Sequence, residues 1–145
     1  MQQNKFYTVR GYQMIENKEH KLTASLEDYI EMIYRLTSKY GYTRVGKLAE
    51  MLNVKPSSVS KMLIKLAELS IVDYEKYGII TLTKLGKDYG EYFMWRHNVI
   101  NNFFSILLPN DKTKAFEEAE LVEHMLSRET VEGIENIIKK LNKQS

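Results

Sequence analysis

Two carboxylates and one imidazole lie within a short segment in the last third of the chain. Glu120, Glu123 and His124 are spaced i, i+3 and i+4, so a helix places all three on one face. That face adjoins an apolar stripe containing Ala119 and Leu126, which should shield the three groups partly from water. Carboxylate oxygens and imidazole nitrogens are metal ligands, and the segment therefore suggests a metal site.

Three further residues have the chemistry to complete such a site. Asp28 and Glu31 lie i, i+3 on the flank of a predicted helix, and His97 lies on the inward side of a longer one. Each pattern alone is weak evidence, because a pair of carboxylates is usually a solvated face and a histidine among aromatic residues usually belongs to the core. The combination of the three patterns is stronger evidence for a metal site, because it offers oxygen donors and imidazoles from three separate segments.

The composition excludes several other kinds of site. The chain has 145 residues and no cysteine, which removes disulfide frameworks, thiolate zinc sites, iron–sulfur clusters and cysteine nucleophiles. No apolar stretch approaches the ~20 residues that span a bilayer, and no secretory signal is apparent, so we expect a cytoplasmic protein without membrane contact. Lysines are frequent in the first half and glutamates in the last third, which indicates different roles for the two halves.

The spacing of apolar residues predicts helices and one β-hairpin. In chain order these are a first helix from Leu26, two helices over 44–51 and 56–69, a hairpin over 71–74 and 79–82, a long helix to Leu107, and two helices ending near Leu141. The residues expected to cap or begin the helices are Ser25, Gly41, Pro56, Thr83, Asp111 and Ser127.

Helix, tight turn, helix and hairpin in this order predict a winged helix-turn-helix, whose second helix can lie in the major groove of DNA. That helix begins at Pro56 and exposes short hydroxyls and a lysine, which suit phosphates and base edges. In an alternative interpretation the serines only cap the helix and Lys61 is a solvated charge. The residues that we expect to contact DNA are Lys55, Pro56, Ser57, Ser58, Ser60, Lys61, Lys65, Lys76 and Lys84.

Several segments taken together resemble a known family in both order and spacing. They are Ser25–Glu31, Val54–Met62, Tyr74–Gly78, Leu82–Gly86, Trp95–His97 and Glu120–Ser127. They resemble the manganese transport regulators, the manganese-sensing members of the diphtheria toxin repressor family of metal-dependent transcriptional repressors. The resemblance extends from about Ser25 to the C-terminus, and its metal positions come from three segments.

The resemblance implies a mainly α fold and a division of the chain into an N-terminal arm (1–24), a winged helix-turn-helix DNA-binding domain (25–86) and a helical metal-binding and dimerisation domain (87–145). It implies two neighbouring Mn²⁺ ions per subunit, bridged by carboxylates, for which other divalent metals can substitute. The implied ligands are Asp28, Glu31, His97, Glu120, Glu123 and His124. The implied partners are a second copy of the chain and a palindromic operator, expected at metal-uptake genes.

Two positions separate this chain from the iron-sensing relatives, which place Met at the position of Asp28 and Cys at that of Glu120. Hard oxygen donors suit Mn²⁺, although affinity alone would favour later transition metals. Phe116 stands where those relatives have an ancillary histidine ligand, so no ligand is carried over to it. Met125 replaces a second histidine of some members.

Three alternatives remain at this stage. One is a winged-helix regulator that responds to another divalent metal such as Fe²⁺ or Zn²⁺, and a second is one that responds to an organic ligand. The third is an enzyme with a carboxylate-bridged pair of metals. We predict no enzyme, because the chain lacks the Glu-x-x-His pairs of di-iron bundles and offers no spare base or nucleophile. The apolar run Phe103–Leu108 favours a homodimer.

Overall fold

The computed structural model of the chain describes residues 22–75 and 78–144. Nearly all of the predicted N-terminal arm, together with Lys76 and Tyr77, lies outside these residues. The described elements are α1 (Ala24–Tyr40), α2 (Val45–Leu52), α3 (Pro56–Glu68), β1 (Val72–Tyr74), β2 (Ile80–Leu82), α4 (Lys84–Leu107), α5 (Lys112–Glu123) and α6 (Arg128–Lys143). No helix within the described ranges is both long and apolar enough to cross a membrane.

The first helix starts slightly earlier than its sequence predicts. Thr23, not Ser25, is the N-cap, and its hydroxyl accepts a hydrogen bond from the Leu26 amide at 3.2 Å. The two hydroxyl residues satisfy the same capping rule, and the extended backbone of Thr23 decides between them. The predicted end is confirmed, because Gly41 takes a left-handed conformation with φ of 85° that glycine adopts without strain.

The N-terminal half folds as a three-helix unit with a small wing. Asn53, at φ of 54°, makes the tight turn between α2 and α3, and Pro56 begins α3 as predicted. Strands β1 and β2 pair antiparallel, with Asp73 opposite Thr81. The core that joins these elements consists of Ile30, Ile33, Leu48, Leu63, Leu66 and Ile80, together with further buried apolar residues. The structure therefore has the predicted helix-turn-helix followed by a hairpin.

Helix α4 belongs to both halves of the molecule. Thr83 caps it as predicted, and the helix then runs for 24 residues, a length of roughly 36 Å. Its first half lies close against α1, where a side chain at Gly90 would come within 2.6 Å of Tyr34. Its second half packs through Ile100 against α5 and α6, which supply Ala119 and Val131. Helices α1, α4 and α5 consequently meet near the middle of α4.

Candidate metal centre

The predicted ligands converge at this meeting point. Two groups of three residues each offer one ligand atom within 4.8 Å of the others. The first group contains Asp28, Glu123 and His124, and the second contains Glu31, His97 and Glu123. Glu123 belongs to both, so its carboxylate stands between two neighbouring clusters of donors.

The first group lies where the end of α5 meets the first turns of α1. Nε2 of His124 is 3.0 Å from Oδ1 of Asp28 and 3.7 Å from Oε1 of Glu123. Asp28 has 46% of its side chain exposed, whereas Glu123 is fully buried. The group is therefore open to solvent on the side of Asp28 and closed on the side of Glu123.

The second group is centred on His97 of α4. Its Nδ1 lies 3.0 Å from Oε2 of Glu123 and 3.1 Å from Oε1 of Glu120. Oε1 of Glu31 is a little farther from the same nitrogen, at 3.6 Å. Glu120 thus stands at the edge of this group, and the structure brings all six predicted ligands into the two clusters or beside them.

Glu123 supplies a test of whether these residues fit a metal ion. Its Oε1 is buried and has no hydrogen-bond partner among the described residues. A buried carboxylate oxygen without a hydrogen bond is costly, because it has lost the hydrogen bonds of water and gained none in exchange. A divalent cation bound by Asp28, Glu123 and His124 would provide the missing interaction, so the donor set fits the group.

The electrostatics show what balances the carboxylates when the histidines are charged. Hydrogen bonds to Glu120 and Glu123 raise the pKa of His97 to about 9, despite its burial. Burial lowers the pKa of His124, but hydrogen bonds to Asp28 and Glu27 outweigh it and raise the value to about 10. Both rings are therefore protonated at neutral pH in the metal-free protein, and a metal ion must displace those protons.

The pKa of Glu31 is also raised, first by burial and then by the negative charge of Glu123. Arg35, one turn later on α1, opposes this effect through Nη2, which donates to Oε1 of Glu31 at 2.8 Å. The i, i+4 spacing of Glu31 and Arg35 was visible in the sequence, but we did not predict this pair.

Two more residues of the site escaped prediction. Oε1 of Glu27 is 2.9 Å from Nδ1 of His124 and accepts from Nη2 of Arg96 at 3.2 Å. Arg96 is buried and its guanidinium lies over the ring of Phe93, 4.8 Å from the centroid. The only sequence signal is that each residue directly precedes a predicted ligand, Asp28 or His97.

The residues predicted to contact DNA lie mostly on the surface of the N-terminal half. The exposed ones are Lys55, Pro56, Ser57, Ser58, Lys61, Lys65 and Lys84, while Ser60 is half-buried and Lys76 lies outside the described residues. The N-cap of α3 is Lys55, which makes no side-chain capping bond, so the serines of this helix do not serve as its N-cap. Ser57 and Ser60 line a groove with Arg44, which was not predicted, and with Tyr74 of the wing.

Comparison with known proteins finds similarity along both halves. Residues 21–80 match a family model described as "Iron dependent repressor, N-terminal DNA binding domain". Residues 83–144 match a second model, described as "Iron dependent repressor, metal binding and dimerisation domain". The HTH-type transcriptional regulator MntR of Oceanobacillus iheyensis is 42% identical over 116 residues, which are 80% of this chain and 78% of that protein.

Two solved structures have a fold similar to that of this chain. The manganese regulator SloR aligns with a TM-score of 0.70 and 29% identity, over 81% of this chain and 55% of SloR. IdeR of T. acidophilum aligns with a TM-score of 0.68 and 26% identity, over 78% of this chain and 53% of IdeR. The chain thus spans about half the length of these two solved chains.

Proposed function

The chain belongs to the iron dependent repressor family, whose members are metal-dependent transcriptional repressors, and we propose that it represses transcription when Mn²⁺ is bound. Membership of this family confirms the sequence-based resemblance and the mainly α fold with a DNA-binding and a dimerisation half. It also confirms the prediction of a repressor in place of a dimetal enzyme.

One observation carries the proposal: predicted ligands from the two halves meet around the buried carboxylate of Glu123, whose Oε1 has no hydrogen-bond partner among the described residues. Asp28 and Glu31 belong to α1, whose residues Ile30 and Ile33 are part of the core that holds the DNA-reading helix α3. The remaining ligands belong to α4 and the end of α5. Any change in how α1 sits against α4 and α5 is therefore passed to α3 through a close-packed core.

The carboxylates of the site need positive charge beside them, which the protonated His97 and His124 provide in the metal-free protein. Glu31 and Glu123 already repel each other, which is one reason why the pKa of Glu31 is raised. A divalent cation that displaces one of these protons brings one more positive charge to the place where the carboxylates converge. The side chains of α1 can then stay close to those of α4 and α5, which holds α3 and the wing in one orientation for DNA.

We propose Mn²⁺ as the physiological metal, with two ions per subunit that share Glu123. The support is a set of oxygen donors and imidazoles without sulfur, together with the similarity to a regulator named MntR and to the manganese regulator SloR. Because later metals bind such donors more tightly, selectivity must come from the geometry of the site and from metal supply in the cell.

We further propose that a homodimer binds a palindromic operator in the cytoplasm, at genes of metal uptake. Helix-turn-helix dimers read two half-sites about one helical turn apart, so two copies of α3 would occupy successive major grooves. The surface that supports dimerisation is apolar and lies at the end of α4, where Ile106 and Leu107 are exposed.

The test separates metal binding from its coupling to DNA. We expect Asp28→Ala and Glu31→Ala to leave a folded protein that retains some metal through the other ligands but gains little DNA affinity from it. Glu117→Ala, at an exposed position of α5, is the matched control and should behave as the parent. Mn²⁺ titrations of DNA affinity, with the mass of the dimer measured alongside, distinguish these results. Full metal-dependent DNA binding by both α1 variants would refute the proposed coupling.

A further inference from the structure

We propose that Glu27 and Arg96 are positioning residues of the metal centre: they orient His124 so that its Nε2, and not its Nδ1, faces the metal. This inference rests on the proposed function, because it assumes that His124 is a ligand. Neither residue belongs to the two groups of donors. Both lie on the far side of the imidazole from Asp28 and Glu123.

The two ring nitrogens of His124 have different neighbours. Nδ1 is 2.9 Å from Oε1 of Glu27, and Nε2 is 3.0 Å from Oδ1 of Asp28. An ionised carboxylate can only accept a hydrogen bond, so the contact with Glu27 keeps a proton on Nδ1. In the neutral tautomer with its hydrogen on Nδ1, the free lone pair is on Nε2, the nitrogen that lies beside Asp28 of the donor group. A carboxylate behind a ligating histidine acts in this way in many metal sites.

Arg96 lies near the same nitrogen of His124 and also donates a hydrogen bond to the Glu27 carboxylate. Its Nη2 lies 3.3 Å from Nδ1 of His124 and 3.2 Å from Oε1 of Glu27. Without Glu27, the guanidinium would donate to Nδ1, and the remaining proton would move to Nε2, where it blocks ligation. With Glu27 present, the carboxylate oxygen accepts from both cations, and the contact with the imidazole is the shorter of the two.

Arg96 is itself held in place, which makes the arrangement a fixed one. It is 3% exposed, and its guanidinium lies over the rings of Phe93 and Tyr92, at 4.8 and 5.7 Å from their centroids. Because Arg96 belongs to α4 and Glu27 to α1, the ion pair also joins the two halves beside the metal site. A buried arginine whose partner is removed becomes an uncompensated charge, so the pair acts as a unit.

The experiment compares Glu27→Gln, which keeps the shape of the side chain, with Glu27→Ala, Arg96→Lys and the exposed-site control Glu117→Gln. Mn²⁺ affinity is measured by calorimetry on the full chain. We expect both Glu27 variants to bind Mn²⁺ about 10- to 100-fold more weakly than the parent, which is the usual effect of losing such a partner. The control should match the parent, and Arg96→Lys should fall between the two because it keeps the charge but not the fork of donors.

A second readout reports orientation, which a merely structural role would not change. Nitrogen NMR of the protein loaded with diamagnetic Cd²⁺ identifies which ring nitrogen of His124 is bound. We expect Nε2 in the parent and loss of that selectivity in Glu27→Gln. Cd²⁺ bound at Nδ1 in the parent, or Glu27→Gln with parental Mn²⁺ affinity and the Nε2 signal intact, would overturn the inference while leaving the proposed function standing. A parent that binds no Mn²⁺ would overturn both.

Discussion

Saturating the metal-free protein with Mn²⁺ at pH 7 should release about two protons per chain from the histidines. The structure supplies the reason, since the pKa of His97 is raised to about 9 and that of His124 to about 10 by their carboxylate neighbours. At two or more pH units below its pKa a group is roughly 99% protonated, and a metal ligand must be neutral imidazole. Unperturbed histidines, with a pKa near 6.5, would together release only ~0.5 protons.

The displacement of protons from the histidines also fixes the sign of the pH dependence of metal binding. The overall binding constant for two Mn²⁺ ions should rise with pH, by about two orders of magnitude per unit near pH 7, because two protons leave, and the constant for each ion should rise by about one order. The rise should flatten above the pKa of His97, near 9, and stop above that of His124, near 10.

Calorimetry at pH 7 in two buffers with different ionisation enthalpies measures the released protons directly. His124→Gln removes one of the two titrating ligands and should release about one proton for whatever Mn²⁺ it still binds. A parent that releases ~0.5 protons or fewer, at full saturation, would show that the histidines are neutral before binding. The interpretation of the site as a set of histidine–carboxylate ion pairs would then be wrong.

Three further predictions concern DNA, selectivity and stability. Lys61→Ala should weaken DNA binding and reduce its salt dependence by about one counterion, because Lys61 is exposed on α3. Its Mn²⁺ affinity in calorimetry should not change. Parental DNA affinity at matched salt would exclude Lys61 as a DNA contact. Asp28→Met combined with Glu120→Cys should shift activation towards Fe²⁺ and softer metals in DNA-binding titrations, and an unchanged ranking of metals would exclude these residues as selectivity determinants. In chelator, the ion pairs of His97 and His124 should contribute fully to the free energy of unfolding below about pH 6.5. This contribution should be lost as the pH rises through about 9 and 10, because the folded-state pKa values of the two histidines are raised. A midpoint of urea unfolding that does not fall over this pH range would contradict the ion pairs.

The six residues that the structure brings together as candidate ligands could be selected from the sequence because their types and spacings are visible in it. Asp28 and Glu31 share a helix face, as do Glu120 and Glu123, and the resemblance to metal-sensing repressors joined these segments to His97. The order of helices and hairpin was equally readable from apolar spacing and caps. The spacing and capping signals are local, because each requires only neighbours within one or two turns, whereas the joining of the three segments came from the resemblance.

The contacts of Glu27 and Arg96 could not be predicted in the same way. The two residues are 69 positions apart, and they meet only because α4 packs closely along α1 at Gly90. No local pattern distinguishes Glu27 from a solvated charge on the first turn of a helix. The N-cap of α1 was predicted wrongly for a different reason. Thr23 and Ser25 both satisfy the preference for a hydroxyl residue at this position, and only the backbone conformation distinguishes them.

The most direct test of the central claim is the DNA affinity of the unmodified chain with and without metal. A duplex selected from a random pool in the presence of Mn²⁺ serves as the target, and its affinity is measured in saturating Mn²⁺ and in chelator at the same salt. We predict tighter binding in Mn²⁺ by a factor within the usual range of coupling between two sites, ~5- to 150-fold. Equal affinity under the two conditions, or failure to select any duplex with Mn²⁺ present, would contradict the account of this protein as a manganese-dependent repressor.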